Sequence, residues 1–105
     1  MSVNKAILLG YVGNDPEVRY PQKDFPVARF TLATNDPQPQ GGAEVTDWHN
    51  IVMSGQAALF AEKYIRKGTR LYIEGKLRTR EYTDKFQINR KITSIYVETF
   101  ELLGR

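Results

Sequence analysis

Between residues 72 and 82, alternate positions carry Tyr72, Lys76, Arg78, Arg80 and Tyr82. In an extended strand, side chains two apart share a face, so this spacing interleaves aromatics with cations on one surface. Lys and Arg suit phosphate oxygens, and flat rings suit unstacked bases; the two together are what a single-stranded nucleic acid needs. Stacking contributes ~1–3 kcal/mol per base and tolerates any sequence, because every base has a π face. The same alternation also fits long cationic stems lying over a sheet with the tyrosines packed on them. Alternation alone leaves both readings open.

Trp48, the only tryptophan, adds weight to the first. It shares strand parity with Asn50, Val52 and Ser54, opposite His49, Ile51 and Met53. If the apolar odd set faces a core, the indole points outward, and an exposed large aromatic is more informative than a buried one. The other reading half-buries it beneath the preceding loop, Asn35–Glu44. That loop is rich in Pro, Gly and Gln, is long for a hairpin connection, and has no aromatic or basic residue at its tip.

Other chemistry lacks its residues. The chain has no cysteine and one histidine, so a disulfide framework, a thiolate zinc site and a two-His metal site are excluded within one chain. Ser2, Ser54 and Ser94 lie near no local histidine signature. His49 falls on the apolar parity of its strand and reads as a packed or interface residue. Gly41-Gly42 lacks the lysine and following helix of a phosphate-cradling loop. No enzyme activity, metal or cofactor is expected.

The charge is unevenly placed. Ten basic and three acidic residues lie between Lys63 and Lys91, and the rest of the chain is net acidic, although the total is only +3. A segregated field draws polyanions better than the net value suggests, yet it also fits a merely solvated face. At 105 residues, 41% hydrophobic and 26% charged, the composition is that of one soluble globular domain covering residues 1–105. No apolar run reaches ~20 residues, and MSVNKAILLG lacks a small-residue cleavage pattern. The expected compartment is the cytoplasm, with no membrane partner.

Five strands are predicted to position these residues: Val3–Val12, Val27–Thr34, Val45–Met53, Arg70–Tyr82 and Phe86–Phe100. One helix is predicted over Gly55–Lys67. Its apolar stripe is Ala57, Phe60, Ala61 and Tyr64, with Ser54 as cap, Arg66 and Lys67 in the last turn, and Gly68 just past the end. Apolar parity shifts from Phe86, Ile88 and Ile92 to Ile95 and Val97, which predicts a bulge near Thr93–Ser94. Gly10, Gly13 and Gly75 sit where long strands must bend. Three strands, a helix and two strands predict an all-β OB-fold, a five-stranded partly open Greek-key barrel with one helix between strands three and four.

Seven stretches then carry a family resemblance. They are Val3-Asn4-Lys5 with Ile7-Leu8-Leu9-Gly10, then Asp15-Pro16-Glu17-Val18-Arg19-Tyr20 and Phe30-Thr31-Leu32-Ala33-Thr34. Asp47-Trp48-His49, Tyr64-Ile65-Arg66-Lys67-Gly68, Tyr72-Ile73-Glu74-Gly75 and the run from Leu77 to Asp84 complete them. In that order the chain resembles the bacterial single-stranded DNA-binding proteins. The resemblance implies an OB-fold homotetramer that binds single-stranded DNA without sequence preference in replication, recombination and repair, with no catalysis and no cofactor. It implies a nucleoid-associated place in the cytoplasm.

Residue by residue, the resemblance makes Trp48 a base-stacking position and puts Tyr82 where many members stack a tryptophan. Arg78 and Arg80 match basic residues along the DNA path, and Lys5 and Lys67 are weaker matches. His49 matches a subunit-interface histidine. Lys76, Asn50 and Tyr72 join the nucleic-acid set from the strand faces above. Ser54 stands where members carry a stacking phenylalanine, and the 35–44 loop lacks their aromatic, so fewer stacking platforms are expected. The family's flexible linker and acidic tip have no counterpart up to Arg105. The expectation is therefore a short form, with tail-mediated recruitment of replication and repair partners in doubt. The alternatives are a primosome-type restart protein acting mainly through protein partners, and an OB module whose groove binds something other than nucleic acid.

Overall fold

Period-two patterning over Ala28, Phe30 and Leu32, over Ile51 and Met53, and over Leu71 and Ile73 predicts a core made from one face of each strand. All of these side chains are buried. The computed structural model describes residues 1–104. Its elements are β1 (Ala6–Val12), β2 (Glu17–Gln22), β3 (Phe25–Asp36), β4 (Val45–Ser54), α1 (Gln56–Tyr64), β5 (Arg70–Thr83) and β6 (Asn89–Gly104).

Five of the strands pair in a ring: β1 with β5, β5 with β6, β6 with β4, β4 with β3, and β3 back to β1. Two seams of the ring are short. Tyr11 and Val12 meet Ala33 and Leu32, and Asn50–Val52 run parallel to Ser94–Tyr96. This is the expected OB arrangement, with α1 between the third and fourth strands of the ring. At Gly10 the backbones of β1 and β3 come so close that a Cβ would lie 2.1 Å from the Ala33 carbonyl oxygen, so the seam requires glycine there.

The sixth strand, β2, is absent from the sequence reading. It forms a hairpin with β3 through a tight turn in which Asp24 has φ 66°. Pro21 lies within it, and proline is tolerated because β2 is an edge strand, paired on one side only.

The helix is shorter than predicted. Gly55, not Ser54, occupies the N-cap position, with no side-chain cap bond, and Ile65 leaves helical geometry at φ −92°, ψ 128°. Arg66 and Lys67 therefore lie beyond the helix. Ala58, Ala61 and Ile65 are the fully buried residues, so the inward stripe is rotated by one position from the predicted one. Small side chains let α1 sit close to the strands, while the larger Phe60 ring packs at the flank, 4.8 Å from Tyr64 and 5.1 Å from Phe100 between centroids. Gly68 has φ 89°, but it serves the loop into β5: its amide donates to the Val12 carbonyl.

No bulge interrupts Thr93–Ser94. The β5–β6 register runs unbroken from Gly75↔Val97 to Thr83↔Asn89, and its shifts fall instead at Arg70/Leu71 and Glu74/Gly75. Parity changes at Ile92 because the hairpin leaves the core. From Lys76 to Thr83 every β5 residue is exposed.

Asp84 organises the hairpin tip. One carboxylate oxygen accepts the amides of Phe86 (2.8 Å) and Ile88 (3.0 Å), and the other accepts Arg90 Nε at 2.9 Å. The Ile88 amide first, then the Arg90 guanidinium and the Phe86 amide, hold this carboxyl below its ordinary 3.8. A depressed folded value stabilises the tip above the ordinary pKa and loses that support as pH falls through the lower one. The amide NMR signals of Phe86 and Ile88 are expected to titrate with a midpoint below 3.8. A midpoint at or above it contradicts the capping role.

Candidate nucleic-acid interface

Directly paired residues of a sheet point to the same side. Asn50 pairs with Ser94, and Ser94 pairs with Arg78. One outward face therefore runs from β4 across β6 to β5. Ile92 lies opposite Arg80 and Arg90 opposite Tyr82 on that face, and Tyr96 lies opposite Lys76. Trp48, two residues before Asn50, stands on it too. The parity argument for β4 holds: Ile51 and Met53 are buried, while the indole is 62% exposed. Tyr82 is half exposed, farther out on the hairpin.

The indole lies against Gly13. A Cβ at that position would come within 2.4 Å of Trp48 Cζ3 and 2.6 Å of Thr31 Oγ1. The turn carrying Gly13 is fixed to β3, because Asn14 Oδ1 accepts both the Thr31 amide and its hydroxyl, at 2.9 and 2.7 Å. This backing positions the indole without burying it.

The cations on the face are not equivalent. Lys76 has Glu98 at 3.9 Å and Arg90 has Asp84 at 2.9 Å; on the opposite side of the hairpin Lys91 has Glu81 at 3.7 Å. Among the described residues, Arg78 and Arg80 have no acidic partner; the Arg80 guanidinium lies over the Tyr96 ring, 5.6 Å from its centroid. Asn50 donates its amide to the Thr93 carbonyl at 3.3 Å, which ties β4 to β6 beneath the face.

Two residues of the sequence-derived set lie elsewhere. Tyr72 pairs with Leu9 of β1, beyond the register shift at Glu74/Gly75. Its hydroxyl donates to Glu74, and Lys5 Nζ lies 2.8 Å from the same carboxylate. The hydrogen bond from Lys5, reinforced by Tyr72, holds Glu74 below the usual carboxylate range and raises Lys5. Both residues are thus engaged by Glu74 beside β1, separate from Trp48. Lys67 is peripheral: its backbone amide donates to Asp15 Oδ1 at 2.9 Å, next to the Gly13 turn. His49 is half-buried, with Nε2 2.9 Å from Thr34 Oγ1.

A residue that the sequence reading passed over, Arg29, also reaches this face. It pairs with Val52 on one side and with Glu17 on the other. No short motif marks it; only the register across three strands does.

A model of the single-strand binding protein family matches residues 3–103. The chain belongs to that family. It is 47% identical over 109 residues to a single-stranded DNA-binding protein of Bacteroides thetaiotaomicron, across 99% of this chain and 68% of that protein. Its fold is also similar to a Plasmodium falciparum SSB solved in complex with ssDNA. That match has a TM-score of 0.85 and 34% identity, and covers 100% of this chain and 96% of the other. Among the described residues, no helix is long and apolar enough to cross a membrane.

Proposed function

We propose that the protein binds single-stranded DNA without sequence preference and protects exposed strands during replication, recombination and repair. One observation carries this reading: Arg78 and Arg80, which have no acidic partner among the described residues, share a hydrogen-bonded outer face with Trp48 and Tyr82. Phosphates take up Arg78 and Arg80, with Lys76 and Lys67 flanking, and counterions are released. Bases stack on Trp48 and Tyr82, and Asn50 supports the face between them. Lys5 and Tyr72 border the path beside β1. The partner is DNA; the binding step itself needs neither cofactor nor catalysis, and its place is the nucleoid in the cytoplasm. Titration with oligo(dT), read by tryptophan quenching, is expected to show tight binding that weakens with salt. Flat fluorescence at low salt, with no complex by anisotropy, overturns the proposal.

Gly13→Ala tests the placement of the indole. The added methyl pushes the ring from its seat and leaves every charge in place. A loss of about threefold to tenfold in oligo(dT) affinity is expected, a fraction of one stacking contribution, with an unchanged salt dependence. Wild-type affinity contradicts it.

The same reading includes assembly as a homotetramer. Among the described residues, Ala6–Gly10 of β1 pair only with β5, which leaves an open strand edge, and Ile7, Leu9 and Tyr11 are exposed beside it. His49 is assigned to a subunit contact. His49→Lys removes the bond to Thr34 and introduces a charge, so sedimentation is expected to show a shift toward monomers; an unaltered mass contradicts the assignment.

A further inference from the structure

The outward face does not end at β4. Its register continues to β3, where Asn50 pairs with Thr31 and Val52 with Arg29, and from there to Glu17 of β2. A cleft of about 220 Å³ lies along this row. Thr31, Asn50 and Val52 form its floor. Asn14 and Glu17 stand on one side, and Ile92 and Ser94 on the other.

The polar groups around the cleft differ in their freedom. Asn14 Oδ1 is saturated by Thr31, which makes that wall rigid. Glu17 accepts a hydrogen bond from Arg19 Nε through one carboxylate oxygen, Oε1. Arg29 is exposed, and among the described residues its guanidinium has neither a hydrogen bond nor an ion pair, although Glu17 is its cross-strand neighbour. Asn50 donates one amide hydrogen to the Thr93 carbonyl, and among the described residues its side-chain oxygen accepts no hydrogen bond. The cleft therefore combines apolar side chains, Val52 and Ile92, with a free donor fork.

That combination suits one flat heterocycle with a polar edge. Arginine offers donors only, so it favours a base edge rich in acceptors over one that pairs a ring nitrogen with an amino donor. Thymine, cytosine and guanine present carbonyl oxygens, whereas adenine presents only ring nitrogens, with an amino donor at its edge. We propose that this cleft seats one unstacked nucleobase of the strand that lies on Trp48, and that Arg29 holds the base by its carbonyl edge. This rests on the single-stranded DNA reading and adds to it a partial base preference at one position.

The test compares oligo(dT) and oligo(dA) by anisotropy at fixed salt, for the wild type, Arg29→Met and Arg29→Lys. Wild-type binding to either oligomer keeps the parent reading; binding to neither removes that reading, and this proposal with it. Arg29→Met is expected to lose about fivefold or more on oligo(dT) and clearly less on oligo(dA). Arg29→Lys, which keeps the charge but not the fork, is expected to lose most of the same discrimination with little change in salt slope. Equal losses on both oligomers, with Arg29→Lys restored to wild type, identify a phosphate contact and overturn the base seat. So does an unchanged affinity in Arg29→Met. If Arg29→Met does not fold, Arg29→Lys alone decides, since it retains the stem and the charge.

Discussion

Replacing Trp48 with alanine is expected to lower oligo(dT) affinity by about 5- to 150-fold, the equivalent of one base stack at ~1–3 kcal/mol. The fold is expected to survive. The indole is 62% exposed and contributes nothing to the core formed by Phe30, Leu32, Ile51, Met53, Leu71 and Ile73. Its neighbours cannot take over its role. Gly13 is bare, Asn50 is short and hydrogen-bonded, and Ser54, on the same parity, has no ring. Tyr82 is the other aromatic assigned to stacking, and it sits well along the hairpin. A variant that melts like the wild type and binds oligo(dT) equally well removes Trp48 from the interface.

The second large effect is expected from Arg78→Ala combined with Arg80→Ala. Each cation that neutralises a phosphate contributes about −0.7 to the log–log salt slope on single strands, so the double variant flattens the slope by about 1.4. Low-salt affinity is expected to fall by more than about tenfold, because coulombic contacts dominate such binding. These two residues outrank their neighbours because, among the described residues, no carboxylate competes for them. Lys76, Arg90 and Lys91 already have Glu98, Asp84 and Glu81, and Lys76→Ala is expected to change the slope less. Arg80 also covers the Tyr96 ring, so its removal uncovers an aromatic and accounts for part of the loss through packing. An unchanged slope in the double variant contradicts a phosphate path along β5.

The outward placement of Trp48 and of the β5 cations was legible in the sequence because it depends on strand parity, which is local. Ile51 and Met53 inward means Trp48 outward, and the basic residues of β5 follow from the same period of two. The five-strand ring and its one helix were legible for the same reason. Features set by long-range contacts were not. Pro21 argues against a strand unless the strand is known to lie at an edge. The helix ends at Tyr64 because Ile65 is drawn extended into the core, although nothing in its local spacing stops the helix there. The parity change near Ile92 looks like a bulge in one dimension, yet it marks the point where a regular hairpin leaves the barrel. Tyr72 fits the basic-aromatic pattern and Lys5 is a weak match to the family's basic residues, but Glu74 engages both beside β1. Arg29 was invisible as a site residue because only the β3–β4 and β4–β6 registers carry it to the same surface as Trp48.

The central claim is that one face, from Trp48 on β4 across β6 to Arg78, Arg80 and Tyr82 on β5, carries the strand. Photo-crosslinking an iodouracil-substituted oligonucleotide to the protein, with the adducts mapped by mass spectrometry, tests it most directly. Adducts are expected on Trp48 and on Tyr82. Adducts confined to α1 or to the outer side of β1, with none on those two rings, would contradict it.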